Sequence, residues 1–391
     1  MGGSVDFDLH GVVGIRVVDP RRGELEAIRR QLGPIERSLG GRRPDVTIRF
    51  RDDAPMDYGL RHVTLGQTAH DARSYYVLRD DQGRRTRTSL PMDAVGGPCE
   101  IVCSRGTRGI RPLLAIINLT ALWKGLVRVH GSALVHSGQG ILVTGWAKGG
   151  KTETLLAFRE HGAKYLADQW VYLDPETQRM YGIPEPIRLR EWHLRSMPSL
   201  RATVASSTWL RLRVGGGVAA IADRLADAAG RSHSGLARIA RKASPSLRRQ
   251  LSVQVPPDRL FGAAKIATGG VQAECVLWVV SHASQEIAVD RTDATVVARR
   301  MASSVEYEQA DLRDHYLQFC YAFPDATNPR IDQMRPRLQH LLGNALSPLT
   351  AYRVAHPYPV DLDALYTAVE SRLAQDVAAD ARKRSPRYGT R

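Results

Sequence analysis

Alternating apolar and polar positions run through the first hundred residues. Val12–Val18, Val46–Arg51, His62–Leu65, Tyr75–Arg79 and Glu100–Cys103 carry period-two or β-branched patterns separated by Gly, Pro and Asp clusters, which predicts a run of short strands. Gly23–Gln31 has helical periodicity, so residues 1–108 read as an α+β module whose role the sequence leaves open. Pro112 then opens the apolar run Leu113–Trp123 at a first-turn position where its missing N–H costs nothing. That helix is expected to begin a second domain, 109–378. There VRVHGSALVH, the turn SGQG and ILVTG predict strand, tight turn and strand. Lys151–His161 reads as a helix with Leu155, Leu156 and Phe158 towards a core and Gly162 just past its end.

Two further strands are expected at Lys164–Ala167 and Trp170–Leu173, and the turn DPET leads towards Ile187–Leu189. Residues 195–255, rich in Arg, Ala, Ser and Gly, read as a helical insertion with flexible joints at Gly215–Gly217. Cys275–Val280 is a buried-strand signal with Glu286–Val289 as its candidate partner. Helices are expected around Ala294–Ser303, Ala310–Phe323 and Met334–Leu342, then a strand at Ala351–Val354 and a helix at Asp361–Leu373. Residues 379–391, with Arg382, Lys383, Arg384, Arg387 and Arg391, read as a solvated basic tail. Strands alternating with helices make the fold class α/β.

Composition narrows the function. A hydrophobic fraction of 43% with 24% charged residues excludes a disordered chain, and 391 residues suffice for two to three domains. The longest apolar stretch, Leu113–Trp123, is too short to span a bilayer, and the acidic start MGGSVDFDLH does not resemble a signal peptide, so a cytoplasmic location is expected. Cys99, Cys103, Cys275 and Cys320 lack paired zinc spacing and read as reduced, packed thiols. The net charge of +15 would attract polyanions. Only seven basic residues are lysine, though, and an arginine bias of this kind also follows from a GC-rich genome. Nucleic acid is an unfavoured partner, because residues 231–250 hold Arg231, Arg238, Arg241, Lys242, Arg248 and Arg249 but no aromatic to stack on bases. This basic set suits either a mobile element gripping an acidic peptide or phosphate-bearing metabolite, or an ordinary solvated surface.

The sharpest chemical signal is GWAKGGKT, Gly145 to Thr152, which fits G-x-x-x-x-G-K-[ST] between a predicted strand and a predicted helix. Glycines let backbone N–H groups point at phosphate oxygens, and the helix beginning near Gly150 adds its positive end. Gly145, Gly149, Gly150, Lys151, Thr152 and Glu153 are thus candidate nucleotide-binding residues, and Lys148 either adds a phosphate contact or faces solvent. Lys151 would neutralise the terminal phosphates of ATP, and Thr152 would ligate Mg²⁺ through its hydroxyl. The ion also needs a carboxylate, and Asp168, at the expected end of a strand 17 residues after Lys151, supplies one.

The stretch VHGSALVHSGQGILVTGWAKGGKTETLLAFREHGAKYLADQWVYL resembles the catalytic domain of HPr kinase/phosphorylase and its relatives, P-loop kinases related to phosphoenolpyruvate carboxykinase. His130–Gly131 lies 21 residues before Lys151, followed by Lys151–Thr152–Glu153–Thr154, Gly162 and Ala167–Asp168, at the family's spacings. The resemblance covers about 60 residues and implies a P-loop core of the HPr kinase C-terminal-domain type. It implies an ATP-dependent phosphotransferase acting on a hydroxyl, serine-type, of a peptide, protein or small molecule. Asp168 would be the residue taking the acceptor's proton, and His130 would lie beside it and tune its charge. The family's second aspartate is Gln169 here, so phosphorylase activity is not carried over, and a catalytically weak ATP-binding regulatory or scaffold protein is the alternative. Glu185 and Arg188, in YGIPEPIRL, are the candidates for the segment that closes over nucleotide and metal. The acceptor's identity and whether the chain forms a homo-oligomer stay open.

Overall fold

The computed structural model describes residues 3–52, 59–214 and 252–384. Among these residues the fold is mixed α/β, with two eight-stranded sheets. The first holds β1 (Ser4–Leu9), β2 (Val13–Val18), β3 (Val46–Arg51), β4 (Arg61–Thr64), β5 (Thr68–His70), β6 (Tyr75–Arg79), β7 (Arg85–Leu90) and β8 (Cys99–Ser104), in the order β1-β2-β3-β8-β7-β6-β5-β4. Helix α1 (Arg22–Leu32) links the parallel pair β2 and β3 and buries Ala27, Ile28 and Leu32. Its Glu24 is buried and accepts hydrogen bonds from the backbone N–H groups of Arg21 and Gly106, which ties the helix start to the chain after β8.

Helix α2 (Leu113–Trp123) leads into the second sheet, which holds β9 (Val127–His136), β10 (Gln139–Thr144), β11 (Lys164–Asp174), β12 (Arg179–Gly182), β15 (Val271–Gln272), β16 (Cys275–His282), β17 (Ala288–Arg291) and β18 (Thr350–Pro357). Their order is β15-β12-β11-β9-β10-β16-β18-β17, with β10, β16 and β18 parallel and β9 antiparallel to both its neighbours. The centre of this sheet is covered on both faces, which is why CVLWVV reads as a continuous apolar run. Ile141, Val143, Leu277, Val279 and Val354 face one hydrophobic cluster with helix α3 (Lys151–Glu160) and the helix Leu362–Arg384. Leu142, Val276 and Ala351 face the other, with α2 and the helices Ala294–Glu308 and Met334–Leu346. That second cluster also takes in Phe7, Ile15, Ile48 and Ile101, so the two sheets share a core.

Several elements differ from the sequence reading. The two strands expected at 164–173 are one, β11, because a bulge near Ala167 and a left-handed Gln169 (φ 80°) interrupt the pattern without ending the strand. Asp168 therefore lies inside a strand and not at its end. The expected partner of Cys275–Val280 is instead an edge strand: β17 pairs with β18. The insertion is not helical throughout, since β14 (Ser252–Val255) pairs with β13 (Ile187–Arg190) in a separate two-stranded sheet. Its helical part includes α4 (Glu191–Ser196), the turn Pro198–Arg201 and residues 206–214. Residues 215–251, with the basic set from Arg231 to Arg249, lie outside the described residues. The last helix runs to Arg384, into the expected tail, and 385–391 also lie outside. Among the described residues no helix is long and apolar enough to cross a membrane. All four cysteines are free, and burial pushes the thiols of Cys99, Cys103 and Cys275 up to about 12.

Candidate functional site

The chain leaves β10 at Thr144 and enters α3 at Lys151, and the six residues between must reverse beside β16 and β18. Gly145 has φ 156°, and a Cβ there would sit 2.4 Å from the Val279 carbonyl oxygen. Gly150 has φ 104°, and its Cβ would sit 2.0 Å from His356 Nε2. The two glycines of the motif are thus required by close approach as well as by dihedral angle. Lys148 also takes a left-handed conformation, φ 63°. The fully buried His356, on β18, supports the loop from below: its Nε2 lies 3.0 Å from Gly149 O and its Nδ1 2.7 Å from Pro357 O.

Lys151 is buried, and its ammonium donates to the carbonyl oxygens of Gly145 (3.0 Å) and Trp146 (2.9 Å). Burial pulls its pKa down against the opposing pull of Glu308, Asp168 and Glu153. The next side chain, Thr152, places Oγ1 3.1 and 3.2 Å from the two carboxylate oxygens of Asp168. Asp168 also accepts a 2.7 Å hydrogen bond from Ser132 Oγ. Burial raises its carboxyl above the ordinary range, and the Ser132 and Thr152 hydroxyls oppose that shift.

The β9–β11 register explains the arrangement. Ser132 stands opposite Asp168, Gly131 opposite Gln169 and His130 opposite Trp170. A Cβ on Gly131 would lie 2.7 Å from Val143 O, so the His-Gly pair is a histidine followed by a residue that must be glycine for β9 to sit against β10. His130 lines the same pocket as Asp168 without hydrogen-bonding to it. Its Nδ1 bears on Glu308 at the end of the helix Ala294–Glu308, and it reaches Asp168 only through space. Buried Arg128 lies 3.7 Å from the same Glu308 and over the Trp170 ring.

Glu153 is held by α4 and by the chain just after β18. Burial would raise its pKa, but hydrogen bonds from His193 and Tyr358 hold it below the ordinary value. His193 Nδ1 accepts from Arg190 N–H at 2.9 Å, which leaves the ring proton on Nε2, 3.2 Å from Glu153 Oε1. Glu153 therefore ties α4 to α3 and, with His193 and Tyr358, lines the same pocket as Lys151 and Thr152.

These side chains surround a pocket of about 250 Å³ whose lining includes His130, Lys148, Lys151, Thr152, Asp168 and Arg190. Gln169 and Arg188 line both this pocket and a neighbouring cleft of about 830 Å³, which Glu185 also lines. Burial raises the Glu185 carboxyl, and Arg128 opposes the shift. Of the residues named from sequence, the structure brings His130, Lys148, Gly150, Lys151, Thr152, Glu153, Asp168 and Arg188 onto one pocket, with Gly145 and Gly149 elsewhere in the loop and Glu185 in the neighbouring cleft.

A hydroxyl and a carboxylate side by side form the hard-oxygen donor set that suits Mg²⁺ completing its shell with phosphate and water. Among the described residues no three or more His, Cys, Asp or Glu side chains converge as an all-protein metal cage. Sequence reasoning missed Ser132, Glu308, His193, Tyr358 and His356. Ser132 alone had a local signal, two residues beyond His130 on the same strand face. No protein-family model matches the chain, and no curated protein matches its sequence.

Proposed function

We propose that this chain is an ATP-dependent kinase with a P-loop core of the HPr-kinase type, transferring the γ-phosphate to a serine-type hydroxyl. The observation that carries the reading is one juxtaposition: a lysine folded into a glycine-shaped loop at a helix start, with the next hydroxyl on a buried carboxylate. Loop N–H groups and the start of α3 would bind the phosphates, with Lys151 turning from the loop carbonyls towards them. Magnesium held by Thr152 and Asp168 would offset charge on the phosphate oxygens. Asp168, destabilised as an anion by its burial, is suited to take the acceptor's proton as the new O–P bond forms and the bond to ADP breaks. Gln169, in place of a second carboxylate, favours the alternative of a weakly catalytic ATP-binding regulator. Calorimetry with a non-hydrolysable ATP analogue and Mg²⁺ tests the shared part: Lys151→Ala is expected to remove most of the binding, and equal affinity in both proteins would refute it. Turnover of labelled ATP then separates the two readings.

A further inference from the structure

The cleft of about 830 Å³ beside the small pocket has walls from both sheets. Arg29, Arg30 and Pro34 come from the end of α1 and the chain after it, Arg111 and Leu114 from the start of α2, and Trp170, Glu185, Arg188 and Gln254 from the second sheet and the β13–β14 ribbon. Because Gln169 and Arg188 line both spaces, the cleft adjoins the small pocket beside Asp168. Its charges are unevenly matched. Arg29 is held by Glu36 at 2.6 Å, and Asp81, which bonds Gln31, lies within the field of Arg111. Arg30 and Arg188 are exposed and form no ion pair among the described residues. Leu114, Pro34, Pro186 and Trp170 supply apolar wall. Glu185, the third acid of the lining, also forms no ion pair among the described residues, so four guanidiniums face three carboxyl groups and the excess is one positive charge. A cleft of this size with that excess, with Arg30 and Arg188 free to turn to a ligand, and with an apolar wall fits a small ligand or a few residues of peptide carrying a carboxylate.

We infer that this cleft is the acceptor site, that it takes a hydroxyl compound bearing a carboxylate near the hydroxyl, and that the first sheet's module serves as its recognition wall. This rests on the kinase reading above, since the cleft gains its role from the pocket it adjoins. The carboxylate lies towards Arg30 and Arg188, which aims the hydroxyl past Gln169 at Asp168.

Equilibrium dialysis of the full chain, with Mg²⁺ and a non-hydrolysable ATP analogue, tests the inference on a matched pair of probes. The acidic probe is acetyl-Glu-Ser-Glu-amide, the neutral one acetyl-Gln-Ser-Gln-amide, and glycerate serves as a small hydroxy acid. The acidic peptide is expected to bind about tenfold more tightly than the neutral one, as one or two charge-assisted contacts allow. Arg30→Glu should bring the two within about threefold, and Leu114→Trp, which fills the wall, should weaken both by about tenfold, with analogue affinity unchanged in either variant. Glycerate binding with the same Arg30 dependence would identify small hydroxy acids as the source of the carboxylate; its failure beside a binding acidic peptide would identify peptide. Equal affinity of the two peptides, no binding of the acidic peptide at millimolar concentration, or a preference that survives Arg30→Glu would overturn the inference. Failure of the wild type to bind the ATP analogue would instead strike at the kinase reading.

Discussion

Gly150→Ala sets a methyl group 2.0 Å from His356 Nε2 and 2.4 Å from its Cε1. The ring has no easy escape, because it is fully buried and both its nitrogens face carbonyl oxygens, of Gly149 and Pro357. Two costs combine. A side chain at φ 104° is strained by about 1–2 kcal/mol relative to glycine. Forcing the ring and the loop apart is an overpacking cost of about 1–3 kcal/mol. A total of about 2–5 kcal/mol corresponds to a fall in melting temperature of roughly 2–6 °C in a chain of this size. Urea unfolding and thermal melts measure the loss, and His356→Ala in the same background tests its cause. The double variant should recover the steric part but not the backbone part, giving a coupling of about 1–3 kcal/mol. If Gly150→Ala costs under about 0.5 kcal/mol, or if the two substitutions simply add, the packing of loop against β18 described here is wrong.

Asp168→Asn is expected to raise the melting temperature of the ligand-free protein at neutral pH, because burial holds the carboxyl above its ordinary pKa and its ionised form lowers stability as pH rises through that value. The same variant should cut turnover by about 10² or more while nucleotide affinity stays within about tenfold, and a lower melting temperature would contradict the burial argument. His10, packed on Tyr172 and Tyr181, has its pKa lowered by burial to about 4. The fold therefore holds it neutral, and its contribution is intact above the unfolded value of about 6.5 and is lost as pH falls towards 4. By pH 5 the loss should be about 1–2 kcal/mol after allowance for its partial exposure, seen as a difference in melting temperature between wild type and His10→Phe that grows on acidification.

Elements whose apolar residues follow one period were legible in the sequence. Leu113–Trp123 is helical over the residues expected, and GWAKGGKT does join a strand to a helix. β1 was missed because its polar positions, Asp6 and Asp8, pair with Arg16 and Arg42, and so look like loop residues in isolation. β7, RTRTSL, carries no apolar side chain before Leu90 and is held as a strand by β6 and β8. Gln169 hid the continuity of β11, since a left-handed residue in a strand has no compositional mark. At the site, the loop, Lys151, Thr152 and Asp168 were readable because motif spacing fixes them. Glu308 and His356 were not, because each arrives from more than a hundred residues away through helix and sheet packing.

The ammonium of Lys151 is a cross-brace between the two ends of its own loop, bonded to Gly145 O and Trp146 O. On the proposed reading, phosphate binding at this position would be an exchange of partners and not a simple gain. Each brace is a charged hydrogen bond worth about 1.5–3 kcal/mol, so a ligand must offer the lysine at least as much before its affinity becomes visible. A single inorganic phosphate has few groups with which to do so, whereas a polyphosphate engages the lysine and the loop N–H groups together. On that reading the brace would act as a threshold favouring chains of phosphates over isolated ones. It also means that the affinity lost on removing Lys151 understates the strength of the lysine's contact with phosphate, because the variant starts from a loop that has already lost its brace.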